Sequence, residues 1–171
     1  MANPILENTD FTDEYKISFT CFSEEDLDAY IVRYEKYYLT RLLGAELYTL
    51  FIADLTGNPS VPTAPRFTAI FDAFDDDNDG GTLISSEGMK EMLKQFVYFH
   101  FTRDQVYKAS PLGRVKPESS ISSPPSSKGY NLVESFNKGL CNYNAIQWYI
   151  DENSTDYPEE NMQHIGGISG I

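Results

Sequence analysis

The chain has few of the residues that most often carry catalysis or bind metal ions. Its 171 residues include two cysteines, two histidines and one tryptophan. Cys21 and Cys141 cannot form a disulfide framework, so we expect both to be reduced core residues in a cytoplasm. No CxxC or HxxxH spacing indicates zinc, and no glycine-rich phosphate loop is present. The sequence therefore provides no catalytic residue, and we expect a protein that is not an enzyme.

Long apolar runs are also missing. No stretch approaches the roughly 20 apolar residues that cross a bilayer, so we expect no membrane contact. The first ten residues lack the basic start and the apolar run of a secretory signal. Both absences favour a protein that is made in the cytoplasm.

Basic side chains are scarce, with 13 Lys and Arg against 26 Asp and Glu, and the net charge is −13. The sequence contains no run of basic residues, and no Lys or Arg follows Lys138. DNA binding requires cations that replace phosphate counterions. We therefore expect that the protein does not bind DNA, although DNA could pass through an acidic ring without binding to it.

Aromatic residues are plentiful, with 12 tyrosines and 11 phenylalanines, and apolar residues make up 41% of the chain. A single domain of this length can bury a core. Tyrosine also suits interfaces, because it has a large apolar ring and a polar tip. The surplus indicates either a partner-binding surface or tyrosines that are half-buried on helices.

The spacing of apolar residues predicts an all-α fold, a small helical bundle with a long central helix. The predicted helices cover residues 23–55 with a bend at Gly44, 66–74, 86–108 (the central helix) and 130–152. The predicted connections are a proline-containing loop at 56–65, an acidic loop at 75–84 and a long Ser/Pro-rich loop at 109–129. We expect three parts: an extended N-terminal arm (1–22), the bundle domain (23–152) and an extended, flexible C-terminal tail (153–171).

The acidic segment before the central helix resembles an EF-hand calcium loop. Counted from Asp76, it has Asn78 at position three and Glu87 at position twelve, where an EF-hand glutamate binds calcium through two oxygens. Gly80 at position five supplies no side-chain oxygen, and Ile84 stands where a polar residue is usual. Counted from Asp75 instead, the loop has aspartates at positions one, three and five. Position twelve is then Ser86, so the calcium-binding glutamate is lost. A calcium-binding helical module is therefore the alternative function, and an acidic turn is the other interpretation.

Two single residues also invite a functional interpretation. His100 falls on the apolar stripe of the central helix, so we expect a hydrogen-bonded core histidine rather than a base. No pattern supports a pair of this histidine with either cysteine. We expect Trp148 to lie in the core, and an interface position is the alternative.

Three segments resemble one known family. Residues 37–48 (YYLTRLLGAELY) are similar to the first helix and "LLG" bend of the head–tail connector (adaptor) proteins of tailed bacteriophages. Residues 86–99 (SEGMKEMLKQFVYF) resemble the central helix of small connector-like proteins from phages and prophages of Bacteroidetes. Residues 143–150 (YNAIQWYI) resemble their last helix. The resemblance covers about residues 23–152 and rests on structural rather than catalytic patterns.

The resemblance implies a structural virion protein of the neck, at the head–tail interface. Such adaptors are α-helical bundles that form a homo-oligomeric ring, which we expect to be a dodecamer. The ring docks on the portal protein, offers a platform to further neck or tail proteins, and lets DNA pass without specific binding. The implied functional residues are interface surfaces, with no catalytic residue and no cofactor. Terminal segments and long loops that order against neighbouring subunits would suit this role.

Overall fold

The computed structural model describes residues 4–17, 24–78, 82–106, 108–110, 113–115 and 127–167. The helices are α1 (Glu24–Asp54), α2 (Pro65–Phe71), α3 (Met89–Val106) and α4 (Ser127–Glu152), with short 3-10 helices at Asn8–Asp10 and Asp13–Tyr15. Two antiparallel hairpins pair β1 (Phe74–Asn78) with β2 (Thr82–Ser86) and β3 (Lys108–Ser110) with β4 (Gly113–Val115). The described residues are therefore mostly helical, as predicted, although not entirely so.

Helix α1 is 31 residues long and bends at Gly44. Its first turn carries three acidic residues, which the helix dipole favours at that end. Gly44 has a φ of 75° and a ψ of 172°, a combination that residues with a Cβ atom rarely adopt. The bend predicted at this glycine is confirmed, and the helix continues beyond it to Asp54.

The core forms where α3 packs between α1 and α4. Helix α1 runs antiparallel to α3, because Tyr38 stacks on Phe96 with ring centroids 3.9 Å apart, while Tyr30 contacts Phe101. On the other side of α3, the ring of Phe136 from α4 lies 5.3 Å from that of Phe96. The predicted central helix is confirmed in position and is shorter at both ends.

Residues 74–86 form a hairpin rather than the predicted acidic loop. Asp76 pairs with Ile84, and Phe74 pairs with Ser86. The face that carries Phe74 packs on α4, where its ring lies 4.9 Å from that of Tyr149. Aspartates disfavour strands, so the sequence of β1 indicated a loop. Burial of the flanking side chains against α4 outweighs that preference.

The long Ser/Pro-rich loop predicted at 109–129 is only partly covered by the described residues. Its beginning forms the β3–β4 hairpin, in which Lys108 pairs with Val115. Its end belongs to α4, which begins at Ser127. Residues 116–126 lie outside the described residues, so the rest of this prediction stays a prediction.

The described N-terminal segment, residues 4–17, belongs to the core and is not the extended arm that we expected. Ile5 and Leu6 are buried. Their backbone N–H groups donate hydrogen bonds of 3.3 and 2.7 Å to the carboxylate of Glu35, which is itself buried on α1. Composition alone gave no sign of this long-range attachment.

The described part of the C-terminal segment, residues 153–167, also packs on the helices, so the prediction of a flexible tail is wrong for them. Tyr157 is buried and donates a hydrogen bond to the backbone carbonyl of Arg66 in α2. The backbone N–H of Gln163 donates a 2.8 Å hydrogen bond to the carbonyl of Arg41 in α1. The segment therefore crosses α1 close to its bend.

We expect Gly44→Ala to lower the free energy of unfolding by about 1–3 kcal/mol through backbone strain alone. The added Cβ would also lie 2.7 Å from the carbonyl oxygen of Asn161, so the loss should reach at least the top of that range. Gly166→Ala is the matched control, because its Cβ would meet nothing within 4 Å, and it should change stability by less than about 0.5 kcal/mol. Urea unfolding followed by circular dichroism measures both. Equal stability of the two variants would contradict the prediction.

We expect the stability of the protein to fall with rising pH through Glu35. Burial raises the pKa of Glu35 from 4.5 to about 7, and its two backbone hydrogen bonds oppose only part of that rise. The folded protein therefore holds this proton more tightly than the unfolded chain. The resulting stability is fully present below pH 4.5 and is lost as the pH rises through about 7.

Glu35→Gln removes this titration and keeps the shape of the side chain. At about 1.4 kcal/mol per pKa unit, the free energy of unfolding of the wild type, relative to the variant, should fall by up to about 3 kcal/mol between pH 4.5 and 8. Urea unfolding at a series of pH values measures the difference. An identical pH dependence of the two proteins would rule out this role of Glu35.

Candidate functional sites

The residues of the alternative calcium site lie in or beside the β1–β2 hairpin. Asp76 and Asn78 belong to β1, where they pair with Ile84 and Thr82, and Glu87 follows β2. In an EF-hand the loop wraps around the ion between two helices. Here the two halves of the segment pair with each other as strands, and the turn between them lies outside the described residues.

Glu87 takes part in a polar network that joins the hairpin to α3 and α4. Its carboxylate accepts hydrogen bonds from Gln95 at 3.0 Å and from Asn142 at 3.3 Å. Asn142 also donates to the side-chain oxygen of Gln95, and both amide side chains are buried. Within the described ranges, no group of three or more His, Cys, Asp or Glu side chains could hold a metal ion. Calcium binding stays a prediction, while the observed contacts of Glu87 are structural.

His100 lies at the interface of α1 and α3. Its Nε2 atom is 2.7 Å from the hydroxyl of Tyr38, and its ring stacks on Tyr34 with 3.9 Å between centroids. Its Nδ1 atom is buried and has no hydrogen-bond partner in the described part of the chain. Burial, together with the nearby guanidinium of Arg103, lowers the pKa of His100 to about 4. His100 is therefore uncharged at neutral pH, and the expected hydrogen-bonded histidine is confirmed.

Other single residues depart from their predicted positions. Cys141 is exposed on α4, so the expectation that it is a core residue is wrong, and Cys21 lies outside the described residues. Trp148 is half-buried and does not belong to the core cluster. Many tyrosines pack in the core or at its border, and Tyr37 is an exception, with 43% of its surface exposed.

One face of α1 brings together basic and apolar side chains that are not adjacent in the sequence. The α1 stripe consists of Val32, Arg33, Lys36, Tyr37 and Arg41. Residues four apart lie above one another on a helix, so Val32 and Lys36 form one row, and Arg33, Tyr37 and Arg41 form a second row beside it. The guanidinium carbon of Arg41 lies 4.1 Å from the centroid of the Tyr37 ring. The spacing of four between Arg33, Tyr37 and Arg41 indicates this surface in the sequence, although the three residues do not form a run of consecutive basic residues.

The cations of the α1 stripe have no carboxylate partner within ion-pair distance among the described residues. By contrast, ion pairs involve Arg66, Lys90, Lys94, Arg103 and Lys138. The acid on the same stretch of helix, Glu35, is buried and accepts hydrogen bonds from the N-terminal segment. The α1 stripe is therefore a positively charged surface on an acidic protein.

The β1–β2 hairpin carries the opposite charge on its exposed side. Asp75 and Ser85 pair across the ladder and are both exposed, and Leu83, on the same face, is 66% exposed. These three residues form the outer hairpin face. Asp72, just before the hairpin, is exposed as well. The outer hairpin face therefore combines negative charge with one large apolar side chain.

Comparison of the chain with protein-family models, with curated proteins and with solved structures gave no match. Among the helices of the described residues, none has an apolar stretch that could cross a lipid bilayer.

We expect Tyr38→Phe to lower the free energy of unfolding by about 1–3 kcal/mol, because it removes the hydrogen bond of the packed His100 ring. Tyr37→Phe is the matched control, since it deletes the same hydroxyl from the next residue, whose ring is partly exposed. The control should change stability by less than about 0.5 kcal/mol. Urea unfolding of both variants measures the effects. Losses of the same size would show that the hydrogen bond to His100 contributes nothing specific.

Proposed function

We propose that this protein is a structural subunit of a tailed-phage virion, a head–tail connector that forms a homo-oligomeric ring and docks on the portal. The observation that carries the proposal is the resemblance of residues 37–48, 86–99 and 143–150 to such connectors. These segments lie mainly on α1, α3 and α4, the helices that share the core. The resembling bend falls at Gly44, where α1 changes direction.

The division of the surface also supports a connector. A ring subunit contacts neighbouring copies on two sides, and it contacts other proteins above and below. The α1 stripe and the outer hairpin face are separate surfaces that both combine charge with exposed apolar side chains, the composition of a contact surface. The net charge of −13 suits a channel that DNA passes without binding.

In this role the protein is made in the host cytoplasm and becomes part of the virion neck. It acts by position and contact, without catalysis and without a cofactor. Its partners are further copies of itself, the portal protein, and the neck or tail protein that follows. We expect the ring to be a dodecamer.

Native mass spectrometry and electron microscopy test the proposal directly. The purified protein is mixed with the portal protein encoded near its gene, and the mass and shape of the product are measured. We expect a ring of many copies seated on the portal, and no complex with a portal from an unrelated phage as the control. A protein that stays monomeric and does not bind its portal at any ratio would overturn the proposal.

A further inference from the structure

We infer that neighbouring copies of this chain join head to tail, with the outer hairpin face of one copy on the α1 stripe of the next. The occupant of the α1 stripe is thus a second copy of the same protein. The inference rests on the proposed function, because it assigns the contact between subunits of the proposed ring.

The α1 stripe is suited to an acidic partner. Arg33, Lys36 and Arg41 have no carboxylate partner among the described residues, in a chain with twice as many acids as bases. The stacking of Arg41 over Tyr37 holds this guanidinium in place before any contact forms. Complementary charge guides such surfaces together and fixes their register.

The outer hairpin face offers a carboxylate to the cations of the α1 stripe and an apolar side chain to its exposed valine. Asp75 is an exposed carboxylate, with Asp72 close by. Leu83 is the most exposed large apolar side chain among the described residues, and Val32 on the α1 stripe is 61% exposed. Contact between the two surfaces would remove these side chains from water while pairing the charges.

The positions of the two surfaces favour a head-to-tail contact. The hairpin packs on α4, where Phe74 contacts Tyr149, whereas the α1 stripe belongs to the helix that packs on α3, where Tyr34 stacks on His100. Because the two surfaces do not coincide, each copy can offer the hairpin to one neighbour and α1 to another. Repetition of such a contact gives a ring when the rotation closes.

Reciprocal charge exchange tests this contact. Arg41→Glu and Asp75→Arg each bring like charges together, and each should weaken the subunit contact at least about tenfold. The chain that carries both substitutions should regain assembly, because opposite charges meet again. Sedimentation velocity over a concentration series, alone and with the portal, measures assembly. Circular dichroism verifies that each variant is folded.

Two control variants match these charge changes elsewhere on the surface. Lys16→Glu repeats the change of Arg41→Glu, and Glu46→Arg repeats that of Asp75→Arg. Both control positions are exposed and lie outside the two contact surfaces. Assembly of both controls should equal that of the wild type, which separates a local contact from an effect of net charge.

The outcomes distinguish this inference from the proposed function. Single variants that assemble like the wild type, or a double variant that is not rescued, overturn the inference and leave the connector proposal standing. If the single variants fail to assemble and the double variant regains assembly, but the assembled protein does not bind the portal, the contact is supported and the connector function is overturned. If Arg41→Glu assembles normally but no longer binds the portal protein, the α1 stripe contacts the portal rather than a neighbouring copy. A wild type that is monomeric both alone and on the portal overturns the contact.

Discussion

The stacking of aromatic rings between α1 and α3 determines where the other elements lie. Tyr38 on Phe96 and Tyr34 on His100 are parallel stacks with centroids 3.9 Å apart. Aromatic pairs of this kind contribute about 0.5–1.5 kcal/mol each beyond the burial of their surface. They also fix the rotation of α1 about its axis. With these rings turned inward, Arg33 and Tyr37 face outward, so the same contacts that build the core create the charged surface of the protein.

The acidic composition has different consequences inside and outside the fold. Most carboxylates are at the surface, where water and salt screen their repulsion. Among the described residues, Glu35 is the acid that is buried in the core, and two backbone N–H groups take the place of a cation beside it. At the base of the hairpin, the exposed Glu87 accepts hydrogen bonds from Gln95 and Asn142, whose amide side chains are buried. Both carboxyl groups therefore receive hydrogen bonds from N–H groups, and neither has a Lys or Arg side chain within ion-pair distance in the part of the chain that the structure describes.

The spacing of apolar residues and the conformational freedom of glycine predicted the helices well. The hairpin and the packing of the terminal segments depend on contacts between residues that are far apart in the sequence. The positions of α1, α3 and α4, the bend at Gly44 and the hydrogen-bonded His100 follow from local spacing and from the conformational freedom of glycine. The hairpin was missed because its aspartates disfavour strands, and only the packing of Phe74 on Tyr149 reveals it. The terminal segments were missed because their partners are far away in sequence. The α1 stripe was missed because its members are four residues apart rather than adjacent.

Helix α1 receives both ends of the described chain. Glu35 accepts hydrogen bonds from the backbone N–H groups of residues 5 and 6, and the carbonyl of Arg41 accepts one from the backbone N–H of Gln163. These two positions on α1 are only about 9 Å apart along the helix axis. Both terminal segments of the described chain are therefore held by neighbouring turns of one helix. Unfolding of α1 between Glu35 and Arg41 would therefore release the beginning and the end of the described chain together.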